Sequence, residues 1–146
     1  MNISDELYRA TILEYNREPR NFRTLENATH VAHGLNPLCG DDYHVYLRVE
    51  DGVVQEASFD GHGCAISKAS ASMMTLELKG KTIAEAKALF ARFHGMLTEK
   101  ADLSDDLGRL NVFSGVWKYP ERVKCASLAW HAMDSALQGK ETASTE

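Results

Sequence analysis

From Asp42 the chain alternates without a break, with Tyr43, Val45, Leu47 and Val49 on one side and His44, Tyr46, Arg48 and Glu50 on the other. This is the two-residue period of a strand with one buried face. Asp51-Gly52 follows, a pair suited to a hairpin turn whose two central residues both take positive φ, and Val53, Ala57 and Phe59 carry the apolar face along the returning strand. A hairpin brings its two outer ends to the same edge of a sheet. Those ends are Leu38-Cys39-Gly40-Asp41 and Gly61-His62-Gly63-Cys64, so Cys39 and Cys64 are expected at the same end of the sheet.

The third cysteine, Cys125, lies far along the chain, and nothing in the local pattern forces it to join the other two. If it does, three thiols and the Asp41 carboxylate make up a tetrahedral shell. A borderline-soft ion such as zinc favours sulfur donors at about 2.3 Å, and the single hard oxygen would leave one replaceable corner. The spacing alone leaves open a metal centre, thiol chemistry or inert packing, since free cysteines are often buried as small hydrophobes. The glycine brackets around Cys39 and Cys64 argue against simple core filling. Arg122 and Lys124 flank Cys125 in Arg-Val-Lys-Cys. They are either solvated charges at a helix start or cations that lower a thiol pKa and attract an anionic sulfur species.

The length of 146 residues fits one domain, read as residues 1–138 with a disordered polar tail at 139–146. A net charge of −5 argues against a phosphate-backbone partner, and no apolar run is long enough to cross a bilayer. Three cysteines cannot all pair, and Met1-Asn2-Ile3-Ser4-Asp5-Glu6 carries acid where a secretory signal carries base, so the reading is a cytoplasmic, reduced protein.

Elsewhere the sequence predicts helices. One is capped at Ser4 and runs to about Tyr15; a second covers Ala65–Leu78 with Cys64 at its start, where free N–H groups favour a thiolate. A third runs from a Thr82/Glu85 capping box to Met96. The last opens at Tyr119-Pro120, with Val123, Ala126, Ala129, Trp130, Met133 and Leu137 on its inner face. Thr29 to His33 is a weakly signalled strand. Residues 98–115 are read as a polar, irregular loop whose acidic cluster, Asp102, Asp105 and Asp106, is solvated.

Cys-Gly-Asp before an alternating strand, Gly-x-Gly-Cys-Ala-Ile-Ser opening a helix, Lys-Gly-Lys-Thr, and Arg-Val-Lys-Cys-Ala-Ser-Leu-Ala-Trp near the end together resemble the SufU, IscU and NifU N-terminal iron-sulfur assembly proteins. The resemblance spans the chain from the first helix to about Leu137, and is greatest to the SufU branch. Lys124 stands where IscU proteins have histidine, the stretch between Cys64 and Cys125 is longer, and Trp117-Lys118-Tyr119-Pro120 replaces the chaperone-recognition motif of IscU. A dedicated Hsp70-type chaperone partner is therefore not expected.

The resemblance implies an α+β fold, a small antiparallel sheet of about three strands packed with several helices. It implies zinc on Cys39, Asp41, Cys64 and Cys125, and a SufS-type cysteine desulfurase as partner. The expected activity is acceptance of persulfide sulfur by Cys39, a sulfurtransferase-like role. A scaffold that builds a labile [2Fe-2S] cluster from iron and sulfide on the same ligands is the alternative, and a zinc-stabilised interaction module without sulfur chemistry is a remote one. A hydrolase using Cys64 with His62 is disfavoured, because two residues' spacing on a glycine loop seldom holds a base against a nucleophile.

Overall fold

The hairpin organises the molecule. In a computed structural model, which describes residues 5–37, 39–99 and 105–144, β2 (Asp41–Glu50) and β3 (Val53–His62) pair antiparallel, and Asp51 and Gly52 take φ of 53° and 74° at the turn. The register shifts between Arg48 and Val49, so Arg48 faces Glu56 while Val49 faces Val54. This bulge changes which valine is buried: Val54 points inward in place of the expected Val53 and joins Ala57 and Phe59.

The weakly signalled strand is β1 (His30–Asn36), longer than expected and antiparallel to β2. A fourth strand, β4 (Thr142–Ser144), pairs parallel with β1 and gives the order β3-β2-β1-β4. The polar stretch read as a disordered tail therefore supplies an edge strand. Its composition gives no strand signal; the pairing comes from a β1 edge left open beside the end of the last helix.

The helices cover one face. They are α1 (Asp5–Arg17), α2 (Ala65–Leu78), α3 (Ile83–Thr98) and α4 (Pro120–Leu137), and α3 begins at the expected box, with Thr82 Oγ1 accepting from Glu85 N–H and Glu85 Oε1 accepting from Thr82 N–H. Helix α2 is buried along most of its length, which its Ala and Ser residues permit by allowing close approach. Their hydroxyls are satisfied: Ser70 Oγ donates to the Ala126 carbonyl at 2.5 Å and accepts from Trp130 Nε1 at 3.1 Å, and Ser72 Oγ donates to the Tyr15 carbonyl at 3.2 Å. Helix α2 is thereby fastened to α4 on one side and α1 on the other.

Helix α4 is buried more fully than a single stripe predicts. Leu128 and Ala132 press on the sheet, where a Cβ at Gly34 would lie 3.2 to 3.4 Å from them, while Trp130 packs on Phe93 of α3 with ring centroids 4.5 Å apart. Residues 105–113, expected as loop, form a 3-10 helix kinked at Gly108, and Leu107, Leu110, Val112 and Phe113 enter the core. Four apolar residues within seven positions are a core signal that the acidic flank concealed. Of that acidic cluster, Asp102 and the side chains of Asp105 and Asp106 lie outside the described residues. Among the described residues no helix is long and apolar enough to cross a membrane.

Candidate metal centre

The site forms where the open end of the hairpin meets the starts of α2 and α4. Asn36 ends β1, and its carbonyl accepts from the N–H groups of Cys39 at 3.2 Å and Gly40 at 2.9 Å, a tight turn completed by Gly40 at φ 72°. This turn projects Cys39 to the surface. The chain then enters β2 at Asp41, whose side chain the alternation turns inward, and it is fully buried.

Asp42 pairs with His62, so β3 delivers its end to the same edge as the sequence expects. Gly63 crosses beside Asp41, and Cys64 becomes the N-cap of α2. A Cβ on Gly63 would lie 2.5 Å from Asp41 Oδ1, 2.7 Å from Ser67 Oγ and 2.7 Å from the Tyr43 hydroxyl, so only glycine lets the backbone pass through this cradle. The backbone N–H of Cys64 donates to Asp41 Oδ1 at 2.9 Å, and the N–H of Ser67 donates to Cys64 Sγ at 3.4 Å.

Cys125, in the second turn of α4, completes the cluster. One ligand atom each from Asp41, Cys64 and Cys125 lies within 4.8 Å of the other two, and Cys125 Sγ faces Cys39 Sγ at 3.9 Å. The fold thus draws Asp41, Cys64 and Cys125 into one close group from three separate segments, and Cys39 stands at its edge, beside Cys125. Thiol exposure is graded, with Cys39 exposed, Cys64 half-buried and Cys125 buried.

The thiols do not share their protons evenly. Cys64 is pulled down to about 6, first by the hydrogen bond from Cys125, against burial, and with help from the Ser67 N–H. The Cys125 thiol is pushed up, first by that same bond to Cys64, then by burial and the negative charge of Cys64 and Asp41. Without a cation the pair holds one thiolate and one thiol.

The second oxygen of Asp41 supplies the test of fit for a metal. Oδ1 is taken by the Cys64 N–H, whereas Oδ2 is buried with no hydrogen-bond partner. A buried carboxylate oxygen left unpaired is costly, and a cation beside it removes that cost. Sulfur and one carboxylate oxygen are also the donor set of a zinc-like ion. The residues fit the group.

The surroundings include residues that sequence reasoning missed. Tyr43 and Ser67 support Cys64 from below, their hydroxyls 3.0 Å apart, with burial pushing the Tyr43 hydroxyl up so that it keeps its proton. Tyr8 of α1 looks onto the thiols, and its buried hydroxyl is raised by burial against the lowering effect of Arg122. Arg122 is exposed and stacks on Tyr119 at 4.3 Å and over Tyr8 at 5.8 Å, which places its charge at the mouth of the cluster; Lys124 is half-buried one residue before Cys125. Tyr43 was legible only as a core position. Tyr8 and Ser67 gave no signal, because their relevance depends on where α1 and α2 dock. His62 is exposed, and strand alternation sets it with Asp42 on the opposite side of the sheet from Asp41.

Residues 7–137 match the NifU-like N terminal domain model. The chain is 41% identical over 138 residues to the zinc-dependent sulfurtransferase SufU of Bacillus subtilis, covering 94% of this chain and 93% of that protein. It is 37% identical over 132 residues to the iron-sulfur cluster assembly scaffold protein IscU of Thermotoga maritima, covering 90% of this chain and 93% of that one. Among solved structures, a putative scaffold protein for the SUF system from Fervidobacterium islandicum superposes with a TM-score of 0.83 at 33% identity, covering 92% of this chain and 96% of that chain. The match therefore spans fold, site-bearing segments and nearly full length, and the chain belongs to the NifU-like N-terminal domain family that contains the SufU and IscU proteins.

Proposed function

We propose that this protein works in iron-sulfur cluster assembly as an acceptor of persulfide sulfur from a cysteine desulfurase of the SufS type, with Cys39 as the acceptor and zinc held by Cys39, Asp41, Cys64 and Cys125. The observation that carries the reading is the graded cluster itself: Cys64 and Cys125 grouped with a buried carboxylate that has an unpaired oxygen, and the surface thiol of Cys39 beside Cys125. Zinc, when bound, supplies charge that keeps cysteine sulfur as thiolate at neutral pH.

Cys39 is the member a partner can reach. As thiolate it attacks the terminal sulfur of the desulfurase persulfide; the sulfur–sulfur bond of the partner breaks, the partner's cysteine leaves as thiolate, and Cys39 carries the new persulfide. Arg122 and Lys124 lie where positive charge draws in an anionic persulfide and compensates the negative charge in the cluster. Asp41 stays in place through its bond from the Cys64 N–H and contributes the weaker, oxygen donor. Replacing Cys39 with Ala should abolish transfer of radiolabelled sulfur from desulfurase to this chain, with Arg122→Glu lowering the rate several-fold. Undiminished labelling of the Cys39→Ala protein would refute the assignment.

A second reading, a scaffold that assembles a labile [2Fe-2S] cluster, is favoured by the 37% identity to a protein named as an IscU scaffold. Thiolates serve both uses. Visible absorption after supply of iron and sulfide, set against the zinc content of protein purified without added metal, separates the two.

A further inference from the structure

The alternation that turns Asp41 toward the thiols turns Asp42, His44 and Tyr46 to the opposite, helix-free face of the sheet. Antiparallel pairing then sets His33 of β1 directly across from His44, and His44 directly across from Asp60 of β3. Asp42 stands two residues from His44 on the same face, within reach of His33. His33 Nε2 lies 2.5 Å from Asp42 Oδ1, and the two imidazole rings stack with centroids 4.5 Å apart and planes 9° apart. On the other side of His44, Nδ1 lies 3.7 Å from Asp60 Oδ1, and Asp60 Oδ2 accepts from the Tyr46 hydroxyl at 3.0 Å. One donor atom each from His33, Asp42 and His44 falls within 4.8 Å of the other two.

We propose that this cluster is a second metal site, separate from the thiol centre, which takes a borderline divalent ion such as zinc, cobalt or nickel on His33, His44 and Asp42. A His–Asp hydrogen bond alone accounts for two of the three residues, but it does not account for a second imidazole held against the first with a nitrogen within 4.8 Å of both donor atoms. Two imidazoles and a carboxylate are the donor set such ions prefer, whereas calcium and magnesium seek six or more oxygens. Ligands of a tetrahedral ion bound at about 2.0 to 2.1 Å stand about 3.3 Å from one another. The His33–Asp42 pair, at 2.5 Å, is closer than that and the group as a whole lies within 4.8 Å, and side chains that are 37% exposed at His33 and Asp42 and 45% at His44 have room to turn to meet it. Asp60, itself held by Tyr46, lies 3.7 Å from Nδ1 of His44, beyond a hydrogen bond but near enough for a small turn of the ring to make it the outer carboxylate of a metal-binding histidine. Three protein ligands on an open sheet face leave a fourth position to water or to a partner's side chain, so the site is an exchangeable one. One strand thus presents a sulfur-rich centre on one face and a nitrogen and oxygen centre on the other, from the adjacent residues Asp41 and Asp42.

Cobalt(II) titration distinguishes the two centres, because thiolate ligation gives near-ultraviolet charge-transfer absorption and nitrogen and oxygen ligation does not. The full chain should bind a second equivalent of cobalt that adds visible bands without that charge transfer. The double variant His33→Gln, His44→Gln should lose the second equivalent, or bind it at least ten-fold more weakly, while keeping the first with its thiolate signature; Asp42→Asn should weaken the second several-fold. A second equivalent bound unchanged by the double variant, or none in the unaltered chain, overturns the proposal. Circular dichroism of the variants separates a lost ligand from a lost fold.

Discussion

Cys64 shows how one residue is made reactive by its neighbours. It caps a helix, accepts a hydrogen bond from the Ser67 N–H, and receives another from Cys125, which together outweigh the burial that opposes ionisation. The sign follows directly: a folded value near 6, below the ordinary 9.0, means the thiolate is present at neutral pH and is lost as pH falls through 6. In metal-free protein, alkylation of Cys64 followed by peptide mass spectrometry should therefore slow by about ten-fold per pH unit below that point. In Cys125→Ala the inflection should move up toward the ordinary thiol range. An inflection unmoved by that substitution would show that Cys125 does not hold the Cys64 charge.

At the scale of elements, the junction between β3 and α2 sets the site geometry. Gly63 is the passage through which the chain leaves the sheet, bounded by Asp41, Ser67 and Tyr43 at distances no Cβ tolerates. Gly63→Ala should displace either the Asp41 carboxylate or the first turn of α2, lowering zinc affinity at least ten-fold by competition with a chromophoric chelator; Gly115→Ala, where a Cβ meets nothing within 4 Å, is the matched control. Equal affinity in both variants would mean the cradle gives way freely. The same scale shows what pattern reading captures. The hairpin turn and the Thr82 box have short-range causes and stand as read, whereas the bulge at Arg48/Val49 and the burial of residues 107–113 depend on packing partners far along the chain.

For the whole molecule, the cluster is a junction of otherwise separate parts. Cys39 follows β1, Asp41 opens β2, Cys64 starts α2 and Cys125 lies in α4, so an ion held as proposed would cross-link the sheet to two helices. Ligands that bind only the folded state stabilise it by mass action. Removal of zinc with a chelator should accordingly lower Tm by several degrees, with zinc restoring it and Cys125→Ala abolishing the difference. The core itself does not need the ion: Trp130, Phe93, Phe113 and Leu110 are buried without any part in the cluster, so the metal-free chain should retain a cooperative melt. A melt unaffected by chelation would mean that bound metal adds nothing across this junction.

The hairpin, the Thr82 cap and the meeting of Asp41 with Cys64 at the hairpin's open end were legible in the sequence, because each follows from dihedral preference and two-residue periodicity within a short stretch of chain, while the expected Ser4 cap lies outside the described residues. The sequence could not place Cys125. That thiol reaches the others only because Ser70, Ala126 and Trp130 lock α4 against α2 while Leu128 and Ala132 seat it on Gly34. The buried, half-paired Asp41 and the histidine row on the far face were likewise decided by tertiary structure, since both arise from which side of one strand the helices cover. Local signals act through backbone conformation over a few residues; a site built from four segments is specified by side-chain packing between elements, which no window of sequence contains.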